Sequence, residues 1–140
     1  MVRVMASGVF DILHTGHISY LQQAKALGDE LVVVVACDET VRKNKHEPIT
    51  NEKMRVGIID SLKSVDKAVL GKGGDIFDIV REISPDIIVL GFDQTFNEND
   101  LRKRLKENGL GHIEVARASE YAEDLTATRR IIEKIRKLEG

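Results

Sequence analysis

The sequence predicts an α/β fold: a single Rossmann-like domain over residues 1–140, in which a five-stranded parallel sheet carries helices on both faces. Three observations predict it. Short β-rich apolar runs alternate with segments of helical spacing along the chain. Those runs are continuously apolar, as strands covered on both faces must be. A length of 140 residues with 42% hydrophobic and 31% charged side chains suits one core that folds alone.

Val2 to Ala6 is the first strand. The helix after it shows Ile18, Leu21, Ala24 and Leu27 at three-residue steps, with Gly28 placed to stop it. Leu31 to Ala36 is the second strand, and Glu52 to Leu62 is a helix capped by Thr50 or Asn51. Lys67 to Leu70 is a weaker strand, followed by a loop at Gly71 to Gly74 and a helix from Asp75 to Ile83. Asp86 to Leu90 forms the fourth strand, Asn99 to Lys106 a helix and His112 to Ala116 the fifth strand. Thr126 to Leu138 is the last helix, with Ile131, Ile132, Ile135 and Leu138 along one face. Crossovers between parallel strands bring the ligand-binding residues of such a chain to the carboxyl ends of the strands.

Composition narrows the function classes. The 21 Lys+Arg against 23 Asp+Glu give a net charge of -2, aromatic content is 4%, and no basic stripe runs along any helix. Nucleic-acid binding and attraction to anionic lipid are therefore not expected, and an anionic ligand must be held by a local site. Cys37 is the only cysteine, so neither an internal disulfide nor a multi-thiolate metal site can form, and a reducing, cytoplasmic compartment fits. The longest apolar run, Leu31 to Cys37, falls far short of the ~18 to 20 residues that cross a bilayer, and no leader pattern precedes it.

The strongest chemical signal follows the first strand, in Ser7-Gly8-Val9-Phe10-Asp11-Ile12-Leu13-His14-Thr15-Gly16-His17. Gly8 lets the chain turn or a ligand approach closely, and Gly16 lies where a side chain would crowd the helix N-terminus. His14 and His17, three residues apart, put two imidazoles on one side of a helical turn near unpaired N–H groups. A zinc site needs three or four ligands, and His46 and His112 are far off in sequence, so no metal ligands are assigned.

This segment resembles the H-x-G-H motif of the nucleotidyltransferase superfamily, in the G-x-F-D-x-x-H-x-G-H form of its cytidylyltransferase-like branch. Gly8, Phe10, Asp11, His14, Gly16 and His17 all match. The resemblance implies attack by a substrate phosphate on the α-phosphorus of a nucleoside triphosphate, with pyrophosphate leaving and no covalent enzyme intermediate. It casts His14 and His17 as the catalytic pair that bonds α- and β-phosphate oxygens, and Gly8, Val9, Phe10, Asp11, Thr15 and Gly16 as nucleotide-binding. Such a pair works by positioning and charge stabilisation. No general base is needed, because a phosphate monoester with a second pKa of ~6 is already largely ionised near neutrality.

Further positions follow from the same resemblance. Lys43 and Lys45 belong to a charged stretch after the second strand, and either reach the nucleotide phosphates or acceptor or sit on a solvated helix. Arg55 matches a position that grips the acceptor phosphate, and is otherwise an ordinary helix-surface arginine. Gly91 and Asp93, in Leu90-Gly91-Phe92-Asp93-Gln94, match a G-x-D that admits the nucleotide and contacts its sugar or base, or else form a simple turn. Arg117 matches the arginine of R-T-x-G-x-S-T-T, but the chain then departs from that pattern. Thr126 and Thr128 either reach the β- and γ-phosphates or only cap the last helix, and Tyr121 either stacks on the base or packs under a loop.

Across most of its length the chain resembles the archaeal FAD synthase family, in Gly28-Asp29-Glu30-Leu31-Val32-Val33, Asp38-Glu39-Thr40-Val41, Val65 to Gly71 and Pro85 to Gln94. That family implies transfer of AMP from ATP to FMN with a divalent cation, Mg²⁺ by default, carried in on the triphosphate, and a homodimer. A CTP-dependent transferase acting on glycerol 3-phosphate or a similar polyol phosphate is the alternative within the class. A nucleotide-binding sensor without turnover is the alternative outside it.

Overall fold

The computed structural model describes residues 1–44, 46–92, 94, 96–120 and 128–139, the side chains of Thr128 and Arg129 excepted. The elements run β1 (Arg3–Gly8), α1 (Thr15–Ala26), β2 (Glu30–Val35), α2 (Asp38–Asn44), α3 (Glu52–Asp60), β3 (Lys67–Leu70), α4 (Ile76–Ile83), β4 (Ile87–Leu90), α5 (Glu98–Glu107), β5 (Glu114–Arg117) and α6 (Thr128–Glu139). The strands form one sheet in the order β3-β2-β1-β4-β5, and every pairing is parallel. The order reverses beside β1, so the crevice at the carboxyl ends of β1 and β4 is the place this architecture offers a ligand.

The expected pattern of strands and helices is present, with α2 as an additional helix between β2 and α3. Asp38 and Glu39 in its first turn and Arg42 and Lys43 in its last suit the helix dipole, and Val41 is its buried anchor. β1 runs two residues beyond Ala6 because Ser7 and Gly8 continue to pair with Val34 and Val35. Gly28 serves differently from the expected helix stop. Leu27 is the C-cap, and a Cβ on Gly28 would lie 2.7 Å from Val4 Cγ2 and 2.8 Å from the Val2 carbonyl. Close approach of the turn to β1 is what excludes a side chain there.

Alternate residues of each strand serve two cores. Val4, Ala6, Val33 and Val35 pack with Leu21 and Ala24 of α1 and Ile59 of α3. Met5, Val32, Val34 and Leu90 pack on the opposite face with Phe77 and Val80 of α4 and Leu105 of α5. Aspartates placed just before strands tie the amino ends of the sheet. Asp86 Oδ2 accepts from Arg3 N–H at 2.8 Å, and Asp66 Oδ2 from Leu31 N–H at 2.7 Å. Among the described residues no helix is long and apolar enough to cross a membrane.

Candidate active site

α1 begins at Thr15, three residues ahead of the first periodic apolar residue Ile18, because His14 is its N-cap with extended φ −139° and ψ 173°. The cap is reciprocal. Gly16 N–H donates to His14 Nδ1 at 3.1 Å, and His14 N–H donates to His17 Nδ1 at 3.3 Å. His17 and Ile18 N–H both donate to the His14 carbonyl, at 3.0 and 3.3 Å. The Gly16 and His17 N–H groups expected to attract phosphate are thus engaged by His14 itself. Because Nδ1 accepts in both rings, each neutral imidazole carries its proton on Nε2. The rings stack at a centroid distance of 3.7 Å and an angle of 24°, at the positive end of α1.

Phe10 supports this pair from below. It is 5% exposed, its ring meets His17 edge-on at 5.3 Å, and it stacks on Tyr20 at 6.5 Å. Its φ of 55° lies in the left-handed region, a conformation a bulky side chain seldom adopts, and it folds the ring back onto Gly8. A Cβ on Gly8 would come within 2.9 Å of Phe10 Cζ, so Gly8 makes room for that ring. The buried Tyr20 hydroxyl donates to the Val89 carbonyl at 2.6 Å and accepts from Ser7 N–H at 3.1 Å, pinning α1 to the ends of β1 and β4. Burial raises the Tyr20 pKa, which keeps the hydroxyl a donor.

Asp11 is also buried, and its carboxylate accepts from Ile49 N–H at 2.9 Å, Thr50 N–H at 2.8 Å and Thr50 Oγ1 at 2.7 Å. Burial by itself raises the pKa of this carboxyl, but those hydrogen bonds, with the Arg55 charge, outweigh it and hold the group below its ordinary value. Asp11 therefore ties the motif loop to the lead-in of α3. Arg55 is the largest departure from expectation. Its side chain is 0% exposed, and its guanidinium donates to the carbonyls of Thr50 (3.1 Å), Val9 (3.0 Å) and Ala36 (2.7 Å) and to Asp38 Oδ1 (2.5 Å). In this arrangement it cannot grip an acceptor phosphate. It binds together four segments that converge on the strand ends.

Arg117 is likewise a brace. Its Nε donates to Glu98 Oε1 at 2.5 Å, one terminal nitrogen donates to the carbonyls of Gly91 at 2.9 Å and Gln94 at 2.8 Å, and the other donates to the Phe96 carbonyl and pairs with Glu98 Oε1 again. Gln94 completes the join, accepting from Gly91 N–H at 3.0 Å and donating to the Ser7 carbonyl at 2.8 Å. Gly91 thus contributes its backbone, and a Cβ there meets only ordinary contacts. Tyr20, Gln94 and Glu98 are site-building residues that the motif did not single out. A buried hydroxyl in a helix and an amide after a strand carry no distinctive spacing.

Of the remaining expected residues, Val9 receives the Arg55 hydrogen bond on its carbonyl, and Thr15 is the exposed first residue of α1. Lys43 is exposed on α2, 3.5 Å from Glu39 Oε1. Lys45, Asp93, Tyr121 and Thr126 lie outside the described residues, and Thr128 opens α6. Among the described residues no group of three or more His, Cys, Asp or Glu is placed to hold a metal ion.

An imidazole pair locked at the head of α1, beside the switch point of a parallel sheet, is the arrangement of a nucleotidyltransferase. Residues 5–134 match the cytidylyltransferase-like family model, and the chain belongs to that family. It is 52% identical over 136 residues to a protein of Aciduliprofundum boonei named FAD synthase, an alignment covering 96% of this chain and 91% of that one. It is 49% identical to the FAD synthase of Thermoplasma acidophilum, covering 100% and 98%. A crystal structure from Thermoplasma volcanium, described as a lipopolysaccharide core biosynthesis protein, is 52% identical and superposes with a TM-score of 0.84 over 86% of this chain and 98% of that one.

Proposed function

We propose that the protein is an FAD synthase: a phosphate oxygen of FMN attacks the α-phosphorus of ATP, the bond from that phosphorus to pyrophosphate breaks, and FAD is released. The observation that carries the reading is the His14–His17 pair, whose two Nδ1 atoms are held by backbone N–H groups and whose rings stack at 3.7 Å. Two Nε2–H donors fixed side by side suit the oxygens on either side of the breaking P–O bond, where negative charge grows. Rotation of either ring would cost its Nδ1 hydrogen bond, so the donors are preorganised. Relatives named FAD synthase, matched over nearly the whole chain, supply the choice of base and acceptor.

In this reading a divalent cation such as Mg²⁺ arrives on the triphosphate and spreads its charge. Lys43, exposed on α2, would add positive charge for the phosphates once nucleotide is present. The protein works in the cytoplasm as a homodimer, which sedimentation velocity would check.

The test is to supply purified protein with MgATP and FMN and, separately, MgCTP and glycerol 3-phosphate, measuring FAD by chromatography and pyrophosphate in both. FAD should form only in the first. Turnover confined to the second would replace this reading with the polyol-phosphate cytidylyltransferase.

A further inference from the structure

The His14–His17 pair heads α1, whose Leu21 and Ala24 pack on the face of the sheet that also carries α3. At the same carboxyl ends of β1 and β4, but on the opposite face, a narrow apolar cleft opens between α4 and α5. Ser7, Phe77, Leu90, Phe96 and Leu101 are among its walls. Arg104 lies over the Phe77 ring at 5.0 Å and closes one side. At the mouth Phe96 is 46% and Ile76 37% exposed, although both are large and apolar. The Phe96 carbonyl is held by Arg117, so the backbone of this rim is braced while its ring remains half in solvent.

In-line displacement at phosphorus requires the attacking and leaving oxygens to stand on opposite sides of it. If the leaving pyrophosphate is drawn to the head of α1, the incoming phosphate must approach from the far side of the β1 end, where Ser7 borders the cleft. We propose that the cleft between α4 and α5 is the acceptor subsite, and that it receives the planar isoalloxazine ring of FMN with Phe96 turning to stack on it. This deepens the FAD synthase reading and rests on it. A flat, largely apolar tricycle matches walls of Phe, Leu and Ile, whereas a polyol phosphate would leave them unused. The enclosed part of the cleft is small, so insertion requires the exposed Phe96 and Ile76 side chains to rotate outward, which their exposure permits.

The test uses the full chain with Phe96→Ala, Phe96→Trp and wild type. FMN affinity is read from quenching of flavin fluorescence, KM for FMN and for ATP from FAD formation, and folding from thermal melts. Phe96→Ala should weaken FMN binding and raise its KM about ten-fold or more, the scale of one lost aromatic stack on a base-like ring. KM for ATP should stay unchanged, and Phe96→Trp should restore binding. A raised KM for ATP with normal FMN binding would overturn the proposal by giving the cleft to adenine. Normal constants for both substrates in Phe96→Ala would also overturn it. Wild-type protein that makes no FAD defeats the activity reading separately; flavin quenching lost in Phe96→Ala and regained in Phe96→Trp would then still support the cleft, and no quenching in wild type would overturn it. If Phe96→Ala fails to fold, Ile76→Ala at the opposite rim carries the same expectation.

Discussion

Arg55 of α3 and Asp38 of α2 meet at 2.5 Å, with the guanidinium wholly removed from solvent. The same guanidinium holds the carbonyls of Val9, Ala36 and Thr50, so one charged group joins the motif loop, the end of β2, the start of α2 and the lead-in of α3. Breaking such a pair leaves a buried charge without its partner, which typically costs about 3–5 kcal/mol. Arg55→Met should lose stability on that scale in urea unfolding. Arg55→Lys should recover little, because an ammonium is a single point of charge and cannot span four acceptors. A lysine variant of full stability with a raised KM for the acceptor would return Arg55 to the phosphate-binding role.

Asp11 links stability to pH. Its carboxyl is held below the ordinary value of 3.8, so its contribution is fully present above that value and is lost as pH falls through the lower, folded-state value. Asp11→Asn should be less stable than wild type by about 1–3 kcal/mol at pH 7, the cost of leaving buried donors poorly paired. The gap should narrow in unfolding experiments carried below pH 4. An equal gap at both pH values would show that the charge of Asp11 does not matter.

The two histidines should separate in their effects. On the proposed reaction, His17→Ala should lower kcat by about 10²–10³-fold, as loss of a single oxyanion donor does. His14→Ala should also be slow, and should in addition lose about 1 kcal/mol of stability because it removes the helix cap. Paired kinetic and thermal measurements on both variants check this. Normal turnover in either one would remove that ring from the reaction.

Gly8→Ala tests the support beneath the pair. The new methyl would sit 2.9 Å from Phe10 Cζ, so the ring must shift, and with it the edge contact to His17. Overpacking of this kind costs about 1–3 kcal/mol. Both melting temperature and kcat should fall, with little change in KM for ATP. A variant as stable and as active as wild type would show that the Phe10 ring does not position the histidine.

The βα order, the parallel sheet and the histidine pair were legible in the chain itself, because each rests on a local pattern. Continuous apolar runs mark doubly covered strands, helical spacing marks the segments between them, and His14-Thr15-Gly16-His17 falls at one junction of the two. The roles of Phe10, Asp11, Arg55 and Arg117 were not legible. A motif specifies a residue type at a spacing, and the same arginine serves equally to grip a phosphate or to gather four carbonyl and carboxylate oxygens. Which of these it does depends on what covers it. Only when α2 and the turn at Ile49–Thr50 close over the strand ends do Asp11 and Arg55 become interior braces, while Arg117, partly exposed, is held by Glu98 and the carbonyls of Gly91, Gln94 and Phe96. Desolvation then decides the part the two buried groups play: a charge sealed away from water must be met by protein partners.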